Sequence, residues 1–343
     1  MFDLTKYSFV NSKIRAMLSY LLNPAFFERL SEARDVNDMI DILKNTPYRA
    51  IADEFHRGHI ELENLEREFS KEDLRIYKKV CNMFSTDDEK KFIALLMERY
   101  EIEELKVVLR AWHKKIPINL NDYILSDKIN YDIDFKKILS AETLDEIMLL
   151  LNQTPYERPL ISARKKFLEH NSTFYLEVAL DRDFYERLLA AVNKFSPSDK
   201  KVARKLLGIE IDIENINSLI RFRKYYSLSA DTVMDLVIAG GEVVSKDKAR
   251  KIYETEDLSN VFEGIAAEIN IKLNDENAHS IESFLYAILL HQVKRILAGF
   301  PFTIGTVMGY LILKRRETRN VVSLFYGKSL GVKKEETSAL LNI

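Results

Sequence analysis

Apolar residues recur at helical spacing in two stretches of the chain that resemble each other. Val36, Met39 and Leu43 lie on one face of an amphipathic helix, because they follow the i, i+3, i+7 spacing of helical turns. Residues 144–156 repeat this stretch at an offset of 108 positions, and each copy ends in Thr-Pro-Tyr. The pattern predicts an internal repeat made of helices.

A second pair of matching segments extends the repeat. Residues 101–110, EIEELKVVLR, match residues 212–221, DIENINSLIR, at an offset of 111 positions. Residues 317–326 form a weaker third copy, in register when Asn320 takes the position of Asn215. The repeat predicts three similar helical domains, 1–118, 119–228 and 229–343.

Several residues predict where individual helices begin. Thr46 and Thr154 stand before Pro and can cap a helix whose first residue is that Pro. Ser70 and Ser196 are expected to cap further helices. Pro159 falls inside the second copy, so we expect it to kink that helix or to delay its start.

The composition agrees with an all-α fold. The chain has 343 residues, of which 47% are hydrophobic and 30% charged, and only 10 are Gly and 7 are Pro. A sequence so poor in turn-forming residues is expected to be mostly helix. Residues 208–213 alternate like a strand, but the repeat register places them at the entry of a helix.

Charge and cysteine content narrow the class of protein. The formal net charge is −2, which disfavours nucleic-acid binding. The single cysteine, Cys81, excludes an intrachain disulfide and is expected to be a small buried side chain.

The N-terminal residues and the longest apolar run bear on the location of the protein. A signal peptide needs an apolar run near the N-terminus, but Asp3 and Lys6 are charged, so a cytoplasmic location is expected. The longest apolar run, residues 300–313, is shorter than the roughly 20 residues of a membrane span and predicts a core helix.

The sequence shows none of the marks of an enzyme. It contains no glycine-rich nucleotide loop and no nucleophile elbow. His56 and His59 are close in sequence, but they lie at an expected helix end without further metal ligands nearby. We therefore expect no active site, no metal and no cofactor.

Arginines at matching positions are the candidate contact residues. Arg110 and Arg221 end the two matched segments, and two interpretations stay open for them. They can complement the negative end of a helix dipole, or they can contact a partner. Arg319 and Asn320 are the corresponding candidates in the third copy.

These segments, taken together, resemble a known family. The chain resembles the C subunit of archaeal and bacterial V-type (A-type) ATPases, the relative of the eukaryotic d subunit. The segments that carry the resemblance are residues 7–16, the Thr-Pro-Tyr turns, residues 100–110, and residues 304–310 with 317–320. The third copy departs from the pattern because it lacks Thr-Pro-Tyr.

The resemblance implies a fold and a mechanical role. It implies three helical domains in a pseudo-threefold funnel on the cytoplasmic face of the membrane, without a membrane span. The partners would be central-stalk subunits D and F and the proteolipid ring, and the protein would transmit torque between them without catalysing a reaction. The alternative is a soluble α-helical repeat scaffold that gathers other proteins.

Overall fold

A computed structural model of the chain describes residues 2–126, 128–226, 228–255, 263 and 281–332. Most of these residues are helical, and no β-strand forms among them. The prediction of an all-α fold is confirmed. The helices in chain order are α1 (Phe2–Leu18), α2 (Pro24–Ser31), α3 (Val36–Leu43), α4 (Arg49–His56), α5 (Leu65–Cys81), α6 (Asp87–Lys114), α7 (Phe135–Ser140), α8 (Leu144–Leu150), α9 (Glu157–His170), α10 (Phe174–Val192), α11 (Pro197–Tyr225), α12 (Ala230–Leu236), α13 (Lys246–Glu254), α14 (Ile281–Ala298) and α15 (Ile304–Ser329).

The chain packs as two compact units. One is formed by Met1–Ile60 together with Val192–Ile343, and the other by Glu61–Ala191. In the first, α11 packs against α13, α14 and α15, and α15 also contacts α1, α2 and α3. In the second, α6 packs against α5 and α7, and α8 against α9. This division does not test the three repeat domains, which remain a prediction.

The Thr-Pro-Tyr segments form turns that precede helices. The hydroxyl of Thr46 donates to the Leu43 carbonyl at 2.7 Å and accepts the Tyr48 amide at 3.1 Å. The second copy repeats both bonds, at 2.8 and 3.2 Å. Helices α4 and α9 begin after the tyrosines, two residues later than predicted, because the threonine side chain closes the turn instead of capping the helix.

Two other predictions about helix starts are wrong. Ser70 lies inside α5, because the buried stripe of Leu65, Phe69 and Leu74 runs past it without interruption. Pro159 neither kinks nor delays α9, since it is the third residue of that helix, where a backbone amide has no partner within the helix. Ser196 does cap α11, accepting the Asp199 amide at 3.3 Å.

The apolar run 300–313 enters α15 at Ile304, and its first four residues precede the helix, with Phe300 exposed. Residues 304–312 are all buried, as the prediction of a core helix requires. None of the helices in the described part of the chain is long and apolar enough to cross a membrane.

Candidate partner-contact site

Three long helices carry a buried carboxylate at the same repeat position. Glu101 on α6, Asp212 on α11 and Glu317 on α15 begin the three matched segments. Their exposed fractions are 2%, 0% and 4%. A buried carboxylate is stable only when other groups hydrogen-bond to it, so the partners of each one show what the position does.

Glu101 holds the segment that follows α6. One of its oxygens accepts the backbone amides of Asn130 at 2.6 Å and Tyr131 at 2.8 Å. The other accepts the hydroxyl of Tyr156 at 2.6 Å. A single side chain therefore fixes both a loop and the tyrosine of the second Thr-Pro-Tyr turn.

Asp212 does the same for the segment that follows α12. It accepts three consecutive backbone amides, those of Glu242 at 2.9 Å, Val243 at 2.7 Å and Val244 at 3.1 Å. Burial raises the pKa of its carboxyl to about 6, although the three amides act in the opposite direction. A Cβ at Gly241 would collide with this carboxylate, so the close approach of the loop requires glycine there.

Glu317 ties residues near the beginning of the chain to α15. Its carboxylate accepts the Leu22 amide, the hydroxyl of Tyr48 at 2.8 Å and the ammonium of Lys314 at 2.6 Å. The Lys314 ammonium also donates to the Tyr48 hydroxyl at 2.8 Å. Each of the three carboxylates thus anchors a connecting segment onto a long helix.

The position three residues later is also polar and buried in every copy. Asn215 accepts the Ile238 amide at 2.8 Å and donates to the Ile238 carbonyl at 2.9 Å. Glu104 accepts the Leu125 amide at 2.7 Å. Burial raises the pKa of the Glu104 carboxyl to about 8, so at neutral pH it is mostly protonated. It is then uncharged, like Asn215 and like Asn320 in the third copy.

The expected contact residues occupy different environments. Asn320 is only 5% exposed. The side chain of Arg110 is 43% exposed and its Nη1 donates to Glu177 on α10 at 3.4 Å. The Nε of Arg221 is buried without a hydrogen-bond partner. Arg319 is exposed and donates to the Tyr286 hydroxyl at 2.8 Å.

The sequence reasoning missed the anchoring carboxylates. Their signal was present, because an acidic residue opens each of the three matched segments. The register also pairs Arg110 and Arg221 with Tyr326, so Arg319 is not their repeat equivalent. Whether these arginines contact a partner remains a prediction.

The described residues hold no cluster of His, Cys, Asp and Glu suited to a metal. His56 and His59 hydrogen-bond to different carboxylates. The Nε2 of His56 lies 3.0 Å from the Asp41 carboxylate, and the Nδ1 of His59 lies 2.7 Å from the Glu54 carboxylate. Cys81 is half-buried, which is less than the sequence led us to expect. This burial still raises the pKa of its thiol, which disfavours a reactive thiolate.

Comparisons with known proteins identify the family. Residues 10–340 match the ATP synthase (C/AC39) subunit family. The chain is 25% identical to the C subunit of the A-type ATP synthase of Pyrococcus abyssi, across 98% of this chain and 90% of the relative. It is 22% identical to that of Methanocaldococcus jannaschii, across 99% and 87%. It is 23% identical to that of Archaeoglobus fulgidus, across 96% and 94%. The chain therefore belongs to the ATP synthase (C/AC39) subunit family.

Proposed function

We propose that this protein links the central stalk of a rotary ATP synthase to the proteolipid ring and transmits torque between them. Membership of the family makes the chain a non-catalytic subunit of an ATP synthase. The stalk partners would be subunits D and F, and the chain would lie on the cytoplasmic face of the membrane as a peripheral subunit.

The buried carboxylates carry this proposal. A part that transmits torque must resist deformation, and connecting segments are the most easily deformed parts of a helical protein. Here Glu101, Asp212 and Glu317 each bind at least one backbone amide of such a segment to a long helix. Tyr48 and Tyr156 add side-chain bonds to two of these anchors. The arrangement supports a stiff mechanical part.

Deletion of the chain tests the proposal. Membrane vesicles prepared from cells that lack it should show no ATP-driven ion uptake, because the rotor would be interrupted. The catalytic head released from the same cells should still hydrolyse ATP, because hydrolysis does not need a connected ring.

Two controls complete the experiment. Restoring the full chain should restore ion uptake, and purified chain alone should hydrolyse no ATP. Normal ion uptake in vesicles without the chain would contradict the proposed function and would favour the scaffold interpretation.

A further inference from the structure

Four helix ends meet at one end of the first compact unit. Asp199, in the first turn of α11, accepts the Tyr7 hydroxyl of α1 at 2.9 Å and the Ile304 amide at the start of α15 at 2.7 Å. A Cβ added to Gly305 of α15 would lie 2.8 Å from Ile296 of α14. These contacts bring the first half of α1, the beginnings of α11 and α15 and the last turn of α14 together.

Positive charge predominates at this end of the unit, which we call the Phe300 end and define as residues 5–9, 194–201 and 294–303. Its cations are Lys6, Lys194, Lys200, Lys201, Lys294 and Arg295. Its one acidic residue, Asp199, is 1% exposed, and Asp3 lies just outside it in the sequence. Lys6 lies 3.7 Å from Asp199, whereas the other five cations pair with no carboxylate of the residues that the structure describes. The Phe300 end is therefore basic, although the whole chain has a net charge of −2.

Helix stability accounts for only part of this charge. Arg295 lies in the last turn of α14, where a cation complements the negative end of the helix dipole. Lys194 precedes α11, and Lys200 and Lys201 follow its first turn, so the dipole of α11 favours none of them. These three lysines are available to attract a negatively charged surface.

Phe300 adds an apolar group to the basic surface. It is 61% exposed, and its ring lies 5.5 Å from the ring of Phe302. The turn that carries both rings is held in place, because the Thr306 hydroxyl donates to the Pro301 carbonyl at 2.8 Å. A ring presented by an ordered turn loses little conformational entropy when it leaves water.

We propose that the Phe300 end binds the surface of a bilayer that contains anionic lipids. An exposed aromatic ring enters the interfacial layer of a bilayer, and the cations around it attract the lipid phosphates. The inference rests on the proposed function, which places the chain beside the membrane as a peripheral subunit. It adds a direct contact with lipid to the contacts with other subunits.

The kind of cation favours lipid over an acidic protein surface. Five of the six cations are lysines, and lysine is depleted at protein–protein interfaces. Its ammonium group is a compact point charge that attracts phosphate without the fixed fork geometry of arginine. Lipid phosphates also move laterally, so they can match scattered lysines without a complementary arrangement of partners.

Sedimentation of the purified full chain with vesicles gives the first test. One vesicle population is phosphatidylcholine alone, and the other is an equal mixture of phosphatidylcholine and phosphatidylglycerol. The chain should sediment with the mixed vesicles at low salt and remain in the supernatant with phosphatidylcholine alone, and added NaCl should release it by screening. Failure to sediment with the mixed vesicles at low salt would overturn the proposal.

Lysine variants locate the contact. Replacing Lys194, Lys201 and Lys294 together by Gln should lower the partition coefficient by at least about tenfold, because each cation near an anionic surface contributes roughly fivefold. The matched control replaces Lys224, Lys246 and Lys251, which are exposed lysines outside the Phe300 end, and should stay within about twofold. Equal losses in the two triple variants would mean that net charge alone drives binding, which would overturn the assignment to this end.

The aromatic ring is tested separately. Phe300→Ser should lower the partition coefficient by about fivefold, and Tyr225→Ser should leave it unchanged. Tyr225 is 67% exposed and ends α11, a helix of 29 residues, so it lies roughly 40 Å from the beginning of that helix. The Tm of every variant is measured first, and a change of less than about 2 °C shows that the fold is kept. An unchanged partition coefficient for Phe300→Ser would contradict insertion of the ring.

Two further results distinguish other occupants. Millimolar inorganic phosphate at constant ionic strength should not release the chain from mixed vesicles, and release would assign the site to a free anion. If the unmodified chain binds no vesicles but the Lys194, Lys201 and Lys294 variant recovers fewer synthase subunits from cells, the Phe300 end binds an acidic protein surface and the lipid assignment is wrong. The proposed function fails independently of these results, since ion uptake in vesicles from deletion cells tests it.

Discussion

The hydroxyl of Tyr48 donates a 2.8 Å hydrogen bond to the carboxylate of Glu317, which lies 269 positions later in the chain. Tyr156 makes the equivalent 2.6 Å bond to Glu101. Both tyrosines end a Thr-Pro-Tyr turn, and both are at most 1% exposed. The internal repeat therefore preserves a contact as well as a sequence pattern.

Removing either hydroxyl should destabilise the protein. Tyr48→Phe and Tyr156→Phe keep the buried ring but leave a buried carboxylate oxygen with one donor fewer, which should cost about 1–3 kcal/mol of unfolding free energy. Urea unfolding followed by circular dichroism measures the change. Tyr20→Phe, at a tyrosine that is 69% exposed, should stay within about 0.5 kcal/mol. Equal stability of all three variants would show that the buried bonds contribute nothing.

The loop after α12 should depend on Asp212. Asp212→Ala removes the acceptor of three backbone amides, two of them buried, so the unfolding free energy should fall by about 3 kcal/mol or more. Hydrogen exchange at residues 242–244 should become faster. Asp231→Ala is the matched control, since its carboxylate is 88% exposed. Unchanged exchange in Asp212→Ala would contradict the anchoring role.

Glu104 should make the stability depend on pH. The pKa of its carboxyl is raised from 4.5 to about 8, so the folded chain keeps a proton that the unfolded chain releases. This contribution is fully present below about pH 4.5 and is lost as the pH rises towards 8, at up to about 1.4 kcal/mol per pH unit. Glu104→Gln stays neutral, so it should gain stability relative to the unmodified chain between pH 5 and pH 8.

Urea titrations of both proteins at four pH values across this range measure the effect. The pKa of Asp212, raised to about 6, contributes equally to both proteins and cancels in the comparison. If the unfolding free energies of the two proteins change with pH in parallel, Glu104 is ionised in the folded chain.

The matched arginines should affect binding more than stability. Arg110→Ala and Arg221→Ala should weaken binding to the purified central-stalk subunits D and F by about tenfold if these side chains contact a buried charge of those subunits. The Tm of Arg110→Ala should hardly change, because the Arg110 bond to Glu177 is long at 3.4 Å and partly exposed. Titration calorimetry measures the affinity, with Arg34→Ala as the control. Affinities within a factor of two would support the helix-dipole interpretation instead.

The two repeats differ on an exposed surface, and the difference should be tolerated. Leu149 and Ile161 are 67% and 54% exposed. Their equivalents at an offset of 108 positions are Asp41 and Asp53. Leu149→Asp and Ile161→Asp should therefore change the unfolding free energy of the isolated chain by at most about 0.5 kcal/mol in urea. A loss of 2 kcal/mol or more would show that these side chains are packed in solution.

Local patterns in the sequence predicted the all-α fold and several individual helices, but not every helix start. The stripe of Val36, Met39 and Leu43 forms α3, and residues 208–213 lie inside α11 as the repeat register required. Tyr48 and Tyr156 were matched by offset alone and have matching surroundings. Such predictions succeed because helix periodicity and capping are set by residues a few positions apart.

The partners of buried charges could not be predicted in this way. Glu101 binds the amide of Asn130, which lies 29 positions later in the chain. Glu317 binds the amide of Leu22, which lies 295 positions earlier. The run Lys314-Arg315-Arg316 looks like one solvated patch in the sequence. Successive helical residues point about 100° apart, so each of the three meets different neighbours.

The bond between Tyr48 and Glu317 also sets an order of events during synthesis. A ribosome that adds about 5–20 residues per second needs roughly 15–50 s to proceed from Tyr48 to Glu317. The compact unit Glu61–Ala191 can fold within that interval, because all of its residues are made before Glu317. Tyr48 cannot form its bond to Glu317 until α15 has been made, so the compact unit that contains both residues closes later than the one inserted between its two segments.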